Sequence, residues 1–238
     1  MRPFFITLII FISFQSLAQV RKFIYVNEKY EEIDFNTFSR KVQSELFFVS
    51  EVENDTAVFK KIRFKEFYGD LTNRKKSQLN KLFLKKFNID STKIWFIHYQ
   101  DSLPNIQLMP EKSGIIYLDS FKIRHRHVMS YEDDKKIIPR ELKEYKKVKN
   151  LSLLHFYGIN KGYPAITEEY KWFKDYNLIL KKTFTDGMKM YRAIIIYPNG
   201  NFVVYAINKP PFEIKKLLNF KSFKKAEKKW RRKYEKYK

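Results

Sequence analysis

The stretch Met190–Ala206, MYRAIIIYPNGNFVVYA, decides how the C-terminal part of this chain is read. Two apolar runs, Ala193–Tyr197 and Phe202–Ala206, flank Asn199-Gly200. Asn-Gly favours positive φ at both central positions of a two-residue turn, whose twist matches that of paired strands. The stretch therefore predicts an antiparallel hairpin with nearly continuous apolar strands. Pro210-Pro211 ends the second strand, and a helical tail follows.

Working back from the hairpin, Pro164 is read as opening a long helix to about Thr183, with Ile166, Tyr170, Phe173, Leu178 and Leu180 on its apolar face. Leu151–Tyr157 and Ile94–Tyr99 are continuous apolar runs, the pattern of parallel strands covered on both faces. Between them lie a loop at 102–113, a strand pair at 115–118 and 121–127, and a helix starting at Pro139. The N-terminal part, residues 19–90, predicts an α+β region. Its parts are a strand at Arg21–Val26, a helix capped by Asp34, a hairpin around Glu53-Asn54-Asp55, and a helix capped by Thr72 that runs to Phe87.

From residue 91 to 238 the order is strand, insertion, helix, strand, helix, strand, strand, helix. This order and the Asn-Gly hairpin resemble a thioredoxin-like domain. The resemblance implies an α/β fold, a mixed sheet flanked by helices, in which the Ile94–Tyr99 and Leu151–Tyr157 strands are adjacent and parallel. It carries over only the fold. The loop Gln100–Pro104 has no Cys-x-x-Cys, and Arg192 stands in the neighbourhood where these proteins place a proline before the hairpin.

The chain has no cysteine, so thiol–disulfide exchange, thiol peroxidase and cysteine-nucleophile chemistry are closed to it. It also has no Gly-rich phosphate loop, no Gly-x-Ser-x-Gly elbow and no His-Glu-x-x-His helix. No cofactor is expected, and no metal ligands are assigned. The first residues, MRPFFITLIIFISFQSLAQ, have an early Arg2, an apolar run to about Phe14, and small residues at Ser16 and Ala18. They read as a secretory signal covering residues 1–18, cleaved before Gln19, which places the protein in a periplasm or outside the cell. No later stretch is long and apolar enough to span a membrane.

Among the histidines, His98 and His155 each sit late in a buried strand, toward the edge where open α/β sheets bind ligands. Asp101 follows closely and could orient His98. The readings that stand are a hydrolase of a phosphate- or sugar-containing substrate or a metal site, either built on His98, Asp101 and His155, or two buried histidines satisfied by backbone and tyrosine hydroxyls. The hydrolase reading requires the two histidines to lie within about 10 Å, since direct contacts reach only about 3 Å.

The formal net charge of +22 points to an anionic partner, a polymer or a membrane surface. Lysine far outnumbers arginine, however, and the wealth of Lys, Asn, Ile, Phe and Tyr is also what AT-rich codons produce. Candidate anion-binding residues are Arg192, Arg124, Arg126, Arg231 and Arg232. His125 and His127 would share one face of a strand and the arginines the other, as an oxyanion site or a polar edge. The tail from Lys221 has Phe223, Ala226, Trp230, Tyr234 and Tyr237 at helical spacing. It is expected to dock Phe223, Ala226 and Trp230 on the domain, fray at Tyr234 and Tyr237 and turn its lysines to water, or else to bind an anionic surface. The function expected is that of an exported, non-catalytic binding or structural protein.

Overall fold

The computed structural model describes residues 22–237 apart from 120, 123, 124, 146, 167–169, 185–192, 207 and 208. The signal segment, Arg124 and Arg192 therefore lie outside the described residues. The chain divides into two compact units. One comprises the described residues through Lys65 with Tyr237, and the other runs from Glu66 to Lys236.

In the first unit, β1 (Lys22–Val26) pairs in parallel with β3 (Ala57–Phe64), and β2 (Phe47–Glu53) pairs antiparallel with β3 on its other side. Helix α1 (Phe35–Val42) starts where Asp34 accepts the amide of Thr37. Phe35 and Phe38, one turn apart, both meet Tyr25 of β1. Lys41 is buried on the same helix and pairs with Glu28 at 2.8 Å.

The second unit carries the functional candidates. Its sheet has six strands in the order β4-β11-β10-β5-β8-β9: β4 (Glu66–Asp70), β5 (Ile94–Leu103), β8 (Leu151–Asn160), β9 (Trp172–Lys174), β10 (Ala193–Ile196) and β11 (Asn201–Tyr205). Strands β5, β8 and β9 run parallel, while β10 and β11 run antiparallel to their neighbours. The chain is thus α/β with a mixed sheet, and the two long apolar runs are adjacent parallel strands as expected.

The sheet separates its side chains into two faces by the two-residue alternation of strands. One face presents Trp95, Ile97, Tyr99, Leu154, Phe156, Ile194, Ile196, Phe202 and Val204. Against it pack Leu79 and Phe83 of α2 (Asn73–Phe87), and Leu180 and Phe184 of α5 (Ile179–Phe184). Phe83 is fully buried, stacks on Phe156 and meets Trp95 at 4.4 Å. A short helix α3 (Tyr131–Asp134), capped by Ser130, leads into α4 (Ile137–Tyr145). The opposite face lies under α4 and the C-terminal helices α6 (Pro211–Leu217) and α7 (Phe220–Tyr234). Tyr145 of α4 packs on Phe96, and Phe223 and Trp230 of α7 pack on Tyr68.

Four expectations change. First, the division falls at Lys65 rather than at residue 90. Strand β4 is the edge partner of β11, and α2 fills the core of the sheet, so Glu66–Asp90 folds with the C-terminal unit. Second, no long helix runs from Pro164 to Thr183. Trp172–Lys174 pairs in parallel with β8, and helix begins only at Ile179. Asn177 and Leu178 take positive φ, which a continuous helix excludes. Asp175 then accepts the amides of Leu180 and Lys181 and starts α5 afresh. Third, Pro139 is the third residue of α4, still within the first turn, where its missing N–H costs no helical bond. Fourth, the hairpin turn is wider than two residues. The Gly200 amide bonds the Tyr197 carbonyl, and the Tyr197 amide bonds the Asn201 carbonyl. Only Gly200 takes positive φ, because Pro198 locks its own φ negative and sets an ordinary turn before it.

The basic tail docks, as the spacing suggested. Phe223 and Trp230 are buried, and Asn219 caps α7 by accepting the Ser222 amide. No helix among the described residues is long and apolar enough to cross a membrane.

Candidate metal centre

The site is built from β5, β8 and α4. Parallel register sets His98 directly opposite His155, with ring centroids 5.2 Å apart. Both project from the face that carries Phe96 and Leu153, because they lie two residues further along the same strands. The histidines therefore come together as expected, but in the middle of the sheet rather than at its carboxyl edge. Gln100–Leu103 and Gly158–Asn160 are polar enough to look like loops, yet Ser102 still pairs with Ile159 and Leu103 with Asn160. Gly158 allows this continuation, since a Cβ there would stand 2.8 Å from the Asp101 carbonyl.

Asp101 does not join them. Three residues beyond His98 on a strand is the opposite face, where Asp101 pairs with Lys181 at 2.7 Å. The carboxylate in the site comes from Glu141 of α4. Glu141 Oε2 lies 3.3 Å from His98 Nδ1 and 3.7 Å from His155 Nε2. Ile138, Leu142 and Tyr145, at helical spacing around Glu141, press the same side of α4 onto the sheet. Glu141 is thus an acid set in an otherwise apolar stripe. That stripe, Ile138-x-x-Glu141-Leu142-x-x-Tyr145, was the sequence signal that could have named it.

The cluster is shielded by rings. Phe96 stands 4.6 Å from the His98 ring, and Trp172 of β9 stands 5.3 Å from that of His155. The His155 side chain is 4% exposed, whereas His98 and Glu141 are 23% and 29% exposed, so the site has one closed and one accessible side. Burial lowers the pKa of both histidines to about 4. For His98 the nearby Glu141 partly offsets burial and His155 adds to it. Burial raises the Glu141 pKa, and His98 pulls it back down. Near neutral pH both imidazoles are therefore neutral, with nitrogen lone pairs free to bind a Lewis acid.

Among the described residues, no hydrogen bond satisfies His98 Nε2, His155 Nε2 or Glu141 Oε2. The close approach of Glu141 to the imidazoles lacks hydrogen-bond geometry, and buried polar atoms without partners are rare in folded proteins. The three residues can each offer a ligand atom, all within 4.8 Å of one another. A tetrahedral zinc ion with bonds of about 2.0–2.1 Å sets its ligand atoms roughly 3.3 Å apart. The 3.3 Å between Glu141 and His98 matches that spacing, and the 3.7 Å between Glu141 and His155 is a little longer.

Comparison with known proteins gives no relative to lean on. No protein-family model, curated protein or solved structure matches the chain. The chemistry of the site rests on its own atoms.

The remaining candidates divide by environment. Arg231 is already committed, to Glu227 at 2.6 Å and Asp70 at 3.5 Å. Arg232 is exposed on α7, where Lys221, Lys225, Lys228 and Lys229 fall on the same side by helical spacing, away from Phe223 and Trp230. Arg126, His125 and His127 are exposed on β7 (His125–Val128). His125 and His127 share a face, as expected, at 5.4 Å between rings.

Proposed function

We propose that the chain is an exported, non-catalytic metal-ion-binding protein. It would hold one borderline transition ion such as Zn²⁺ through His98, Glu141 and His155. The observation that carries this reading is the set of three ligand atoms, one each from His98, Glu141 and His155, that lie within 4.8 Å of one another. Two imidazoles and one carboxylate select zinc-class ions over calcium or magnesium, which prefer all-oxygen shells. The scaffold supports a thioredoxin-like reading, since β8-β5-β10-β11 combines a parallel pair with an antiparallel hairpin in one sheet. Without cysteine such a scaffold keeps the architecture and loses the redox chemistry. The signal-like N-terminus supports export, and the basic side of α7 supports an anionic partner.

A second reading comes from the ligand count. Three protein ligands with an open fourth position are the pattern of catalytic zinc sites. That pattern, and the exposed side at His98 and Glu141, favour hydrolysis of a phosphate- or sugar-containing substrate, with Glu141 replacing Asp101 in the set.

The test is titration of chelator-treated protein with Zn²⁺ and Co²⁺, followed by calorimetry and by the visible absorption of Co²⁺. One equivalent should bind, give tetrahedral Co²⁺ absorption, and raise the thermal midpoint. Absence of stoichiometric binding, or equal binding by a Glu141→Gln/His155→Ala variant, would refute the proposal. Metal-dependent hydrolysis of a chromogenic phosphate or glycoside would decide for the second reading.

A further inference from the structure

One segment of the second unit is folded outward. Strand β6 (Gly114–Tyr117) pairs antiparallel with β7 and, among the described residues, with no other strand. An isolated two-stranded hairpin is marginal in water and needs something to rest on. This one exposes its large side chains. Ile115, Ile116 and Tyr117 are each about half exposed, Leu118 is 64% exposed and Phe121 82% exposed. Contiguous apolar exposure of this kind marks an interaction surface.

The register shows that each face carries apolar side chains beside basic or imidazole ones. Ile115 and Tyr117 lie with His125 and His127 on one face, and Ile116 lies with Arg126 on the other. A protein partner laid on a sheet face would cover one of these and leave the other wet. A lipid interface surrounds both. The charge fits as well. From Ser113 to Val128 the sequence holds one acid, Asp119, against Lys122, Arg124 and Arg126. Lys122 lies over the ring of Tyr117, just behind the tip. Cations flanking an apolar tip match anionic headgroups around an acyl boundary. The other basic element, α7, has spent its apolar side on the domain core through Phe223 and Trp230. It can attract an anionic surface, but the large apolar side chain it exposes, Phe220 at 41%, is less exposed than Leu118 or Phe121.

We propose that the β6–β7 hairpin is a membrane-contacting arm that sets Leu118 and Phe121 into the headgroup region of an anionic phospholipid bilayer. It is independent of the metal centre.

The test is co-sedimentation of the mature chain with phosphatidylcholine vesicles, with and without phosphatidylglycerol. Binding is expected only to the anionic vesicles. Leu118→Ser/Phe121→Ser should weaken it by about tenfold or more, since two large apolar groups are withdrawn from the interface. Both residues are exposed, so circular dichroism and thermal melting should not change. Phe121→Trp adds a reporter: the native Trp95, Trp172 and Trp230 are buried, so new quenching by brominated lipid would come from the tip. Failure to bind anionic vesicles overturns the proposal. So does binding that survives Leu118→Ser/Phe121→Ser, or that is lost only with Lys225→Glu/Lys228→Glu on α7. A dimer in analytical ultracentrifugation that Leu118→Ser/Phe121→Ser dissolves, without vesicle binding, would assign the arm to a second copy instead.

Discussion

Glu141 Oε2 stands 3.3 Å from His98 Nδ1, reaching from a helix to a strand more than forty residues earlier in the chain. Asp101, three residues from His98, faces the other way and pairs with Lys181. The contrast gives a sharp expectation. Glu141→Gln should weaken Zn²⁺ or Co²⁺ binding by more than about 100-fold, beyond the usual cost of losing an outer-shell partner. Asp101→Asn should leave affinity within about twofold, because it touches no ligand. Calorimetric titration of the two variants side by side checks this, and equal losses would contradict the assignment.

The buried histidines also set a pH dependence. An unfolded histidine titrates near 6.5, and in the fold both fall to about 4. The unfolded chain then binds more protons between these values, so stability rises with pH across this window. The contribution is fully present above about pH 6.5 and is lost as pH falls toward 4. Glu141 works against this at the acidic end, because its raised pKa lets the folded state hold a proton there. Each pKa unit corresponds to about 1.4 kcal/mol, so on the order of a few kcal/mol are at stake. Denaturant midpoints measured from pH 4 to 7.5 should climb, and His98→Gln/His155→Gln should flatten the curve. A flat profile in the unsubstituted protein would count against buried neutral histidines.

The histidine pair was legible in the sequence because each residue interrupts a continuous apolar run, and parallel pairing of the two runs places the interruptions side by side. Asp101 is set apart from the pair by parity. A residue near in sequence is on the wrong face unless the strand ends before it, and β5 does not end until Leu103. Glu141 was hidden because placing it requires knowing that α4 crosses this part of the sheet. The helix expected from Pro164 failed for a different reason. Tyr170, Phe173 and Leu178 fit helical spacing, but Trp172 is drawn into parallel pairing beside His155, and the chain reverses through Asn177 and Leu178. Local periodicity carried no information about that edge strand. The docked tail was readable because Phe223, Trp230 and their spacing needed only one partner surface.

Asp175 joins β9 to α5, two elements that helical spacing alone would merge. It is buried, accepts the amides of Leu180 and Lys181, and accepts the hydroxyl of Tyr99 at 3.1 Å. Asp175→Ala removes the start of α5 and the hydrogen bond that Asp175 accepts from the Tyr99 hydroxyl. A hydrogen bond to a charged group contributes about 1.5–3 kcal/mol, and the lost cap adds about 1 kcal/mol. Asp175→Asn keeps an acceptor for the amides and should cost less. Urea denaturation of both variants tests the ranking, and equal losses would show that shape rather than hydrogen bonding matters there.

The C-terminal helix makes the strongest claim on stability. Phe223 is fully buried against Tyr68 and Tyr197, and Trp230 packs on Phe67 and Tyr68. Both sit on the face opposite the lysines, so their loss can be separated from any loss of charge. Phe223→Ala or Trp230→Ala should each cost about 3–5 kcal/mol by leaving a cavity in the core. That is a large share of the roughly 5–15 kcal/mol that holds a typical domain together. Lys225→Ser/Lys228→Ser should instead stay within about 0.5 kcal/mol, as exposed substitutions do. Truncation after Asn219 removes both aromatic anchors and should leave the second unit unfolded, read as lost near-ultraviolet dichroism. A truncated chain that melts cooperatively near the full-length temperature would mean that the sheet closes its core without α7. The basic side of α7 would then have to explain why the helix is there.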